Sequence, residues 1–310
     1  MIGGGGGRAR QYKWAAATIG LSVLAAAFFW GSEEAKDLKV ECRTGTTMSA
    51  PQRRAIVLGA TGAVGKSLVT QLLRSSTFST VTTLGRRSVP LETYLDSNST
   101  EEEDGKDTDA ISQKLHQQVL EDLSQLSEHQ ELFSGHDTVF CCLGTTIKTA
   151  GSQEQFRKVD HDYVMAAATI GRAQGVRQFS LVSSVGANPN AWAFYSRVKG
   201  EVEQDLKSLG FPTLSIFRPS LLMTARPEHA PRPGEAIAQR VWPWISWSLV
   251  GPLRKYREIP VETVAQAMLV DAEQGWCVAK QNRGGEDSDA GEVRLYESDE
   301  IHVLAAAGQQ

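Results

Sequence analysis

Residues 55–67 read AIVLGATGAVGKS, an apolar run that breaks into glycines at positions 59, 62 and 65. No other stretch limits the fold so tightly. Glycines three apart after a buried strand suit a strand-to-helix bend that meets a dinucleotide. Gly59 makes the tight turn, Gly62 lets the backbone approach the pyrophosphate, and Gly65 lets helix and strand pack closely. The helix starting near Ala63 then aims free amides at the phosphates. A second reading competes. Ala60 to Ser67 reads A-x-x-x-x-G-K-S, one residue from the phosphate loop of a nucleoside triphosphatase.

The two readings require different company. A triphosphatase needs a carboxylate at a strand end to help hold magnesium. The apolar runs DTVFCCLGTT and FSLVSS end in glycine, threonine and serine instead. A dinucleotide fold reads the adenosine ribose at the end of its second strand, where NAD-binding chains carry an acid. Here that place holds Leu84-Gly85-Arg86-Arg87. Guanidinium groups form paired hydrogen bonds to phosphate oxygens, so Arg86 and Arg87 favour NADP(H) over NAD(H).

Beyond residue 53, short apolar runs alternate with helical patterns. Strands are expected at 55–58, 80–84, 137–143, 178–183 and 213–217, and helices at 64–74 and 194–208. Continuous apolar strands between helices imply an α/β fold, a Rossmann-type doubly wound parallel sheet covered on both faces. A small C-terminal substrate region completes it. The acidic stretch DSNSTEEEDGKDTD at 96–109 has almost nothing to bury and is expected as a disordered insertion. GGEDSD at 284–289 is a smaller loop of the same kind. Region 220–257 is expected to wall or cover the substrate. Its stretch VWPWISWSLVGPL, 241–253, suits a lid, a dimer face, a membrane-surface patch or an ordinary packed helix flank.

Residues 1–50 form a separate extension ahead of the 51–310 domain. Trp14 to Ser32 carries no charge, and as a helix its nineteen residues span roughly 28 Å, near the hydrocarbon thickness of a bilayer. A membrane anchor is the first expectation and a cleaved targeting peptide the second, since residues 1–32 contain no Asp or Glu. A start at Met48 would leave a soluble domain. Arg8, Arg10 and Lys13 before the span balance Lys36, Lys39 and Arg43 after it, so charge does not set an orientation.

The net charge of −4 argues against nucleic acid as a partner. Six histidines and four cysteines show no metal-ligand spacing, so no metal is expected. Cys141 and Cys142 are neighbours in an apolar run, poorly placed for a structural disulfide, which suggests a reducing compartment.

The chemistry-bearing constellation is SSVGANPNAWAFYSRVK, residues 183–199. Tyr195 and Lys199 are four apart and share a helix face. A tyrosine that gives its proton to a developing alkoxide near neutral pH needs its phenolate stabilised, and a nearby ammonium does this. Ser184, with Ser183 as reserve, would hold the substrate oxygen.

With these residues in view, the chain resembles the short-chain dehydrogenase/reductase superfamily. Within it, the likeness is to the atypical branch of Tat-interacting-protein-like oxidoreductases and their fungal mitochondrial relatives. The matching stretches are GATGAVGKSLV, TLGRR, GHDTVFCCLGTT, FRKVDHDYV, FSLVSSVGA, FYSRVKGEVE, SIFRPSLL and IPVETVAQAM, over about residues 54–270. The resemblance implies an extended Rossmann fold that binds NADP(H). It implies that Gly59, Thr61, Gly62, Val64 and Gly65 form the phosphate turn, and that Arg86 and Arg87 face the adenosine phosphate. It also implies that Leu143, Gly144 and Thr145 line the cofactor, that Tyr195 and Lys199 are the catalytic pair, and that Arg218 and Pro219 close the nicotinamide side. Many members carry Asn where this chain has Asp160, a departure that bears on the proton relay.

The expected function is NADPH-dependent reduction of a small-molecule carbonyl. The localisation that fits is a membrane-tethered domain facing the cytosol, on the mitochondrial outer membrane or the endoplasmic reticulum. Members of this branch are linked to signalling and assembly. That gives the alternative: an NADP(H)-binding regulatory or assembly protein, with a protein partner and little or no catalysis.

Overall fold

Strand β1 (Arg53–Leu58) is buried on both faces. Ala55 and Val57 enter one core, Ile56 and Leu58 the other. A strand in that position must be apolar without alternation, as its sequence is. In the computed structural model, residues 52–94, 109, 111–223, 258–281 and 291–308 are described. The chain divides into two compact units, Met1–Gly45 and Thr46–Gln310, and every described residue lies in the second.

The remaining sheet strands are β2 (Phe78–Gly85), β3 (Leu115–Val119), β4 (Thr138–Cys141), β5 (Gln178–Val182), β6 (Thr213–Arg218) and β9 (Glu292–Glu297). Their spatial order is β3-β2-β1-β4-β5-β6-β9, and every pairing is parallel. The order reverses between β1 and β4, the doubly wound Rossmann arrangement. In such sheets ligands bind beyond the strand C-termini at that reversal. A separate two-stranded ribbon joins β7 (Leu222–Met223) to β8 (Ile259–Pro260).

Helices cover both faces. One core holds α1 (Ala63–Arg74), α6 (Val261–Gln281) and α7 (Ser298–Ala307); the other holds α4 (Tyr163–Ala173) and α5 (Phe194–Ser208). Two short helices, α2 (Ile147–Ala150) and α3 (Gln153–Arg157), precede α4. Between α3 and α4 the helix widens into a π turn, Lys158–Asp162. Asp271 of α6 is buried and accepts from Ser215 Oγ at 2.6 Å, Gln178 Nε2 at 2.9 Å, Arg294 Nη1 at 3.0 Å and Tyr296 hydroxyl at 2.7 Å. This ties α6 beneath β5, β6 and β9.

The expected strand at 137–143 is shorter and fourth in the chain, not third. Asp137 turns aside to accept from Arg54 N at 2.8 Å. After Cys142 N donates to Leu58 O at 2.9 Å, the chain leaves the sheet, so Leu143 to Thr145 form a loop. Strand β3, LHQQV, is a half-exposed edge with too few apolar residues to announce itself. Of the acidic insertion only Asp109 is described, as helical. The apolar segment 14–32, the tryptophan-rich 241–253, the rest of 224–257 and the loop 284–289 lie outside the described residues. Among the described residues, no helix is long and apolar enough to cross a membrane.

Candidate functional site

The glycine turn sits at the sheet's reversal. Gly59 has φ +82°, and a Cβ on it would lie 2.6 Å from the Cys142 carbonyl carbon in the loop leaving β4. Only glycine satisfies both constraints. A Cβ on Gly65 would lie 2.1 Å from Gly59 O, so α1 could not draw this close to β1 with any side chain there. Gly62 N donates to Gly59 O at 2.9 Å, and Gly62 caps α1 without a side chain. The first turn of α1 has no acidic residue. Its amides and positive dipole end therefore face the exposed Thr61 and Gly62 unopposed. The missing Cβ atoms let the turn, the start of α1 and the loop after β4 pack backbone against backbone.

Val64 lies in the first turn of α1. Its side chain is buried in the core beneath the turn, so its backbone is what it offers to the turn's surface. Ser67 has its hydroxyl engaged by Gln71 Nε2 at 3.2 Å within α1. With no carboxylate ending β4, the magnesium-holding set of a triphosphatase is not assembled here.

Beside the glycine turn is a cavity, the candidate adenosine end, lined by residues 59–61 and 83–87 together with Leu123 and Leu143. The structure thus brings Arg86 and Arg87, both exposed, to the glycine turn, and none of these lining residues is acidic. Ala60, Thr83 and Leu123 were not foreseen from sequence. Leu123 follows β3, so recognising that strand would have pointed to it. Its turn is held by Asp122, which accepts from Ser124 N at 2.8 Å and from the Tyr163 hydroxyl. Lys158 Nζ lies 3.3 Å from the same carboxylate. The Tyr163 and Ser124 hydrogen bonds hold the Asp122 carboxyl well below the usual range.

The other end is built on α5. Lys199 is 3% exposed, and its Nζ lies 2.8 Å from Oδ1 of the wholly buried Asp160. Asp160 Oδ2 accepts from Thr145 N at 3.0 Å. A Cβ on Gly144 would stand 3.7 Å from Asp160 Oδ1 and 3.8 Å from Lys199 Nζ. The loop after β4, the π turn and α5 therefore meet at one ion pair. Burial alone would depress the Lys199 ammonium. The negative charge of the Asp160 carboxylate outweighs it and holds Lys199 above the ordinary lysine range. Tyr195 is half-buried, its ring 5.4 Å from that of the buried Phe156. Phe156 and Asp160 stand four apart, as Tyr195 and Lys199 do, so two helices present matched pairs to each other. The π turn, a feature frequent at functional sites, carries Asp160. No local pattern pointed to its pairing with Lys199.

The serines separate in role. Ser183 is buried and donates to Glu203 Oε1 at 2.5 Å. Ser184 is half-buried, with Val185 O 3.4 Å from its hydroxyl. Arg218 lies at the end of β6. Its guanidinium pairs with Glu203 and with Glu297. Pro219 O accepts from Val185 N at 3.0 Å, which fixes the loop after β6 beside the serine turn. Among the described residues, no group of His, Cys, Asp and Glu is placed to hold a metal ion. Burial raises the Cys141 thiol to about 12 and Cys142 higher still, which leaves both poor nucleophiles.

Residues 59–232 match a family model described as NAD(P)H-binding. The chain is 37% identical to protein HTATIP2 of Rattus norvegicus over 217 residues, 70% of this chain and 80% of the rat protein. It is 35% identical over 172 residues to protein FMP52-1, mitochondrial, of Scheffersomyces stipitis, 56% of this chain and 68% of that one. Among solved structures, MoeE5 in complex with UDP-glucose and NAD superposes with a TM-score of 0.51 at 14% identity. The match covers 82% of this chain and 92% of MoeE5 and bears on the fold alone.

Proposed function

Since the chain belongs to the NAD(P)H-binding family, we propose that it is an NADPH-dependent oxidoreductase of the short-chain dehydrogenase type, reducing a carbonyl to an alcohol. The observation that carries this reading is the buried Lys199–Asp160 pair beside Tyr195, at the crevice where strand order reverses. Gly59, Gly62, Gly65 and the first amides of α1 would hold the pyrophosphate, with Leu143, Gly144 and Thr145 alongside. Arg86 and Arg87 support a 2′-phosphate on the adenosine ribose, hence NADP(H).

A bound NADPH supplies the hydride that the carbonyl carbon accepts. Tyr195 gives its hydroxyl proton to the carbonyl oxygen. Lys199 stabilises the phenolate left behind, and Asp160 keeps that lysine charged and in place. Ser184 orients the oxygen. The test is NADPH oxidation by the full chain across aldehydes, ketones and quinones, with the alcohol product identified.

One observation favours a second reading. An ammonium already compensated by a carboxylate 2.8 Å away lowers a phenol's pKa less than a free one. That suits an NADP(H)-binding regulatory or assembly protein with a protein partner. Cofactor binding without turnover of any carbonyl would favour it. For location, the mitochondrial name of the fungal relative and the apolar residues 14–32 support a tether to the mitochondrial outer membrane, or else the endoplasmic reticulum, with the domain facing the cytosol. Alkaline extraction tests this, and release of the intact chain counts against it.

A further inference from the structure

Helix α5 carries Tyr195, Lys199 and Glu203 at four-residue spacing, so the third shares the face of the first two. Glu203 is 2% exposed, and proton transfer gives it no task. A buried carboxylate is costly unless its oxygens are hydrogen bonded. Oε1 accepts from Ser183 Oγ at 2.5 Å and from Arg218 Nε at 3.0 Å, and Oε2 accepts from Arg218 Nη2 at 2.5 Å. Arg218 Nη1 continues to Glu297 Oε1 at 3.1 Å. At the strand ends, Ser183 N donates to Phe217 O at 2.7 Å and Val185 N to Pro219 O at 3.0 Å.

We propose that Glu203 is a positioning residue: a single buried carboxylate that fixes α5 to the ends of β5 and β6 and so sets where Ser184 and Pro219 stand relative to Tyr195. Its meaning for a reaction rests on the reductase reading. Its geometry concerns only the nicotinamide half, because the adenosine cavity shares none of these residues. Glu203 therefore governs one end of the cofactor site and leaves the other alone.

The test uses the full chain with Glu203→Gln, which keeps the size but not the charge that holds a guanidinium fork. Two readouts need no turnover: the fluorescence lifetime of the nicotinamide in bound NADPH, and the affinity for adenosine 2′,5′-bisphosphate. The lifetime is expected to shorten toward that of free NADPH, with bisphosphate affinity unchanged within about twofold and any carbonyl kcat reduced roughly ten- to hundredfold. An unaltered lifetime overturns the proposal, as does a loss of bisphosphate affinity equal to the loss at the nicotinamide end. Ser183→Ala, which removes one arm without a charge, decides the matter if Glu203→Gln does not fold. A smaller shortening supports the proposal, and a wild-type lifetime overturns it. If the wild type turns over no carbonyl, the reductase reading fails, while the lifetime comparison still decides the role of Glu203.

Discussion

Lys199 Nζ lies 2.8 Å from Asp160 Oδ1, with both side chains buried. Removing one partner of such a pair strands the other as an uncompensated charge. Asp160→Asn is expected to lose roughly 3 kcal/mol of stability, and Lys199→Met a similar amount. The double variant should lose much less than the sum, because it leaves neither charge alone. Urea denaturation of the four proteins measures the coupling. Additive losses would mean that the two groups do not depend on each other.

Arg86 and Arg87 line the adenosine cavity beside residues that carry no opposing acid. Replacing both with serine is expected to weaken NADPH binding about ten- to hundredfold while leaving NADH binding nearly unchanged. Fluorescence titration with each cofactor checks this. Equal losses for both would remove the argument for a 2′-phosphate.

Gly65 separates a clash from ordinary backbone strain. In Gly65→Ala the new methyl meets the backbone oxygen of Gly59, so α1 must move from β1. NADPH binding should be lost and stability reduced by about 1–3 kcal/mol. Gly175 has φ +85° with nothing within 4 Å of a Cβ. Gly175→Ala should cost roughly 1 kcal/mol and leave NADPH affinity at the wild-type value.

His136 sets an acid limit. Its ring is buried, with Nε2 3.0 Å from Thr82 Oγ1. Burial, helped by the positive charge of Arg54, holds the imidazole below its ordinary value of 6.5. A folded pKa below the unfolded one means stability is full above pH 6.5 and falls as pH drops toward the folded value. The decline has a slope of at most about 1.4 kcal/mol per pH unit. Denaturation midpoints from about pH 7 to pH 5 should fall more steeply in the wild type than in His136→Gln. Parallel curves would show that other groups carry the acid sensitivity.

The features written locally were legible in the sequence. Residues 55–67 announced β1, its turn and α1, because one run of backbone must do all three jobs. The helix at 194–208 was placed with both ends correct, since its apolar positions recur at helical spacing and glycine and proline bracket it. Edge strands were not legible. LHQQV and EVRLYE bury too little to look like strands and exist because a neighbour supplies hydrogen bonds. Nor was the electrostatic wiring. Asp160 meets Lys199, and Glu203 meets Arg218, only once the helices dock. The partners of Arg218 come from α5 and from the end of β9, and no local pattern announces them.

The central claim is that Tyr195 gives up the proton in an NADPH-dependent reduction. The measurement is turnover of a reducible carbonyl by Tyr195→Phe beside the wild type at saturating NADPH, with NADPH affinity determined for both. A loss of roughly 10²–10⁴-fold with unchanged affinity is the expected result. Turnover by Tyr195→Phe at the wild-type rate would contradict it.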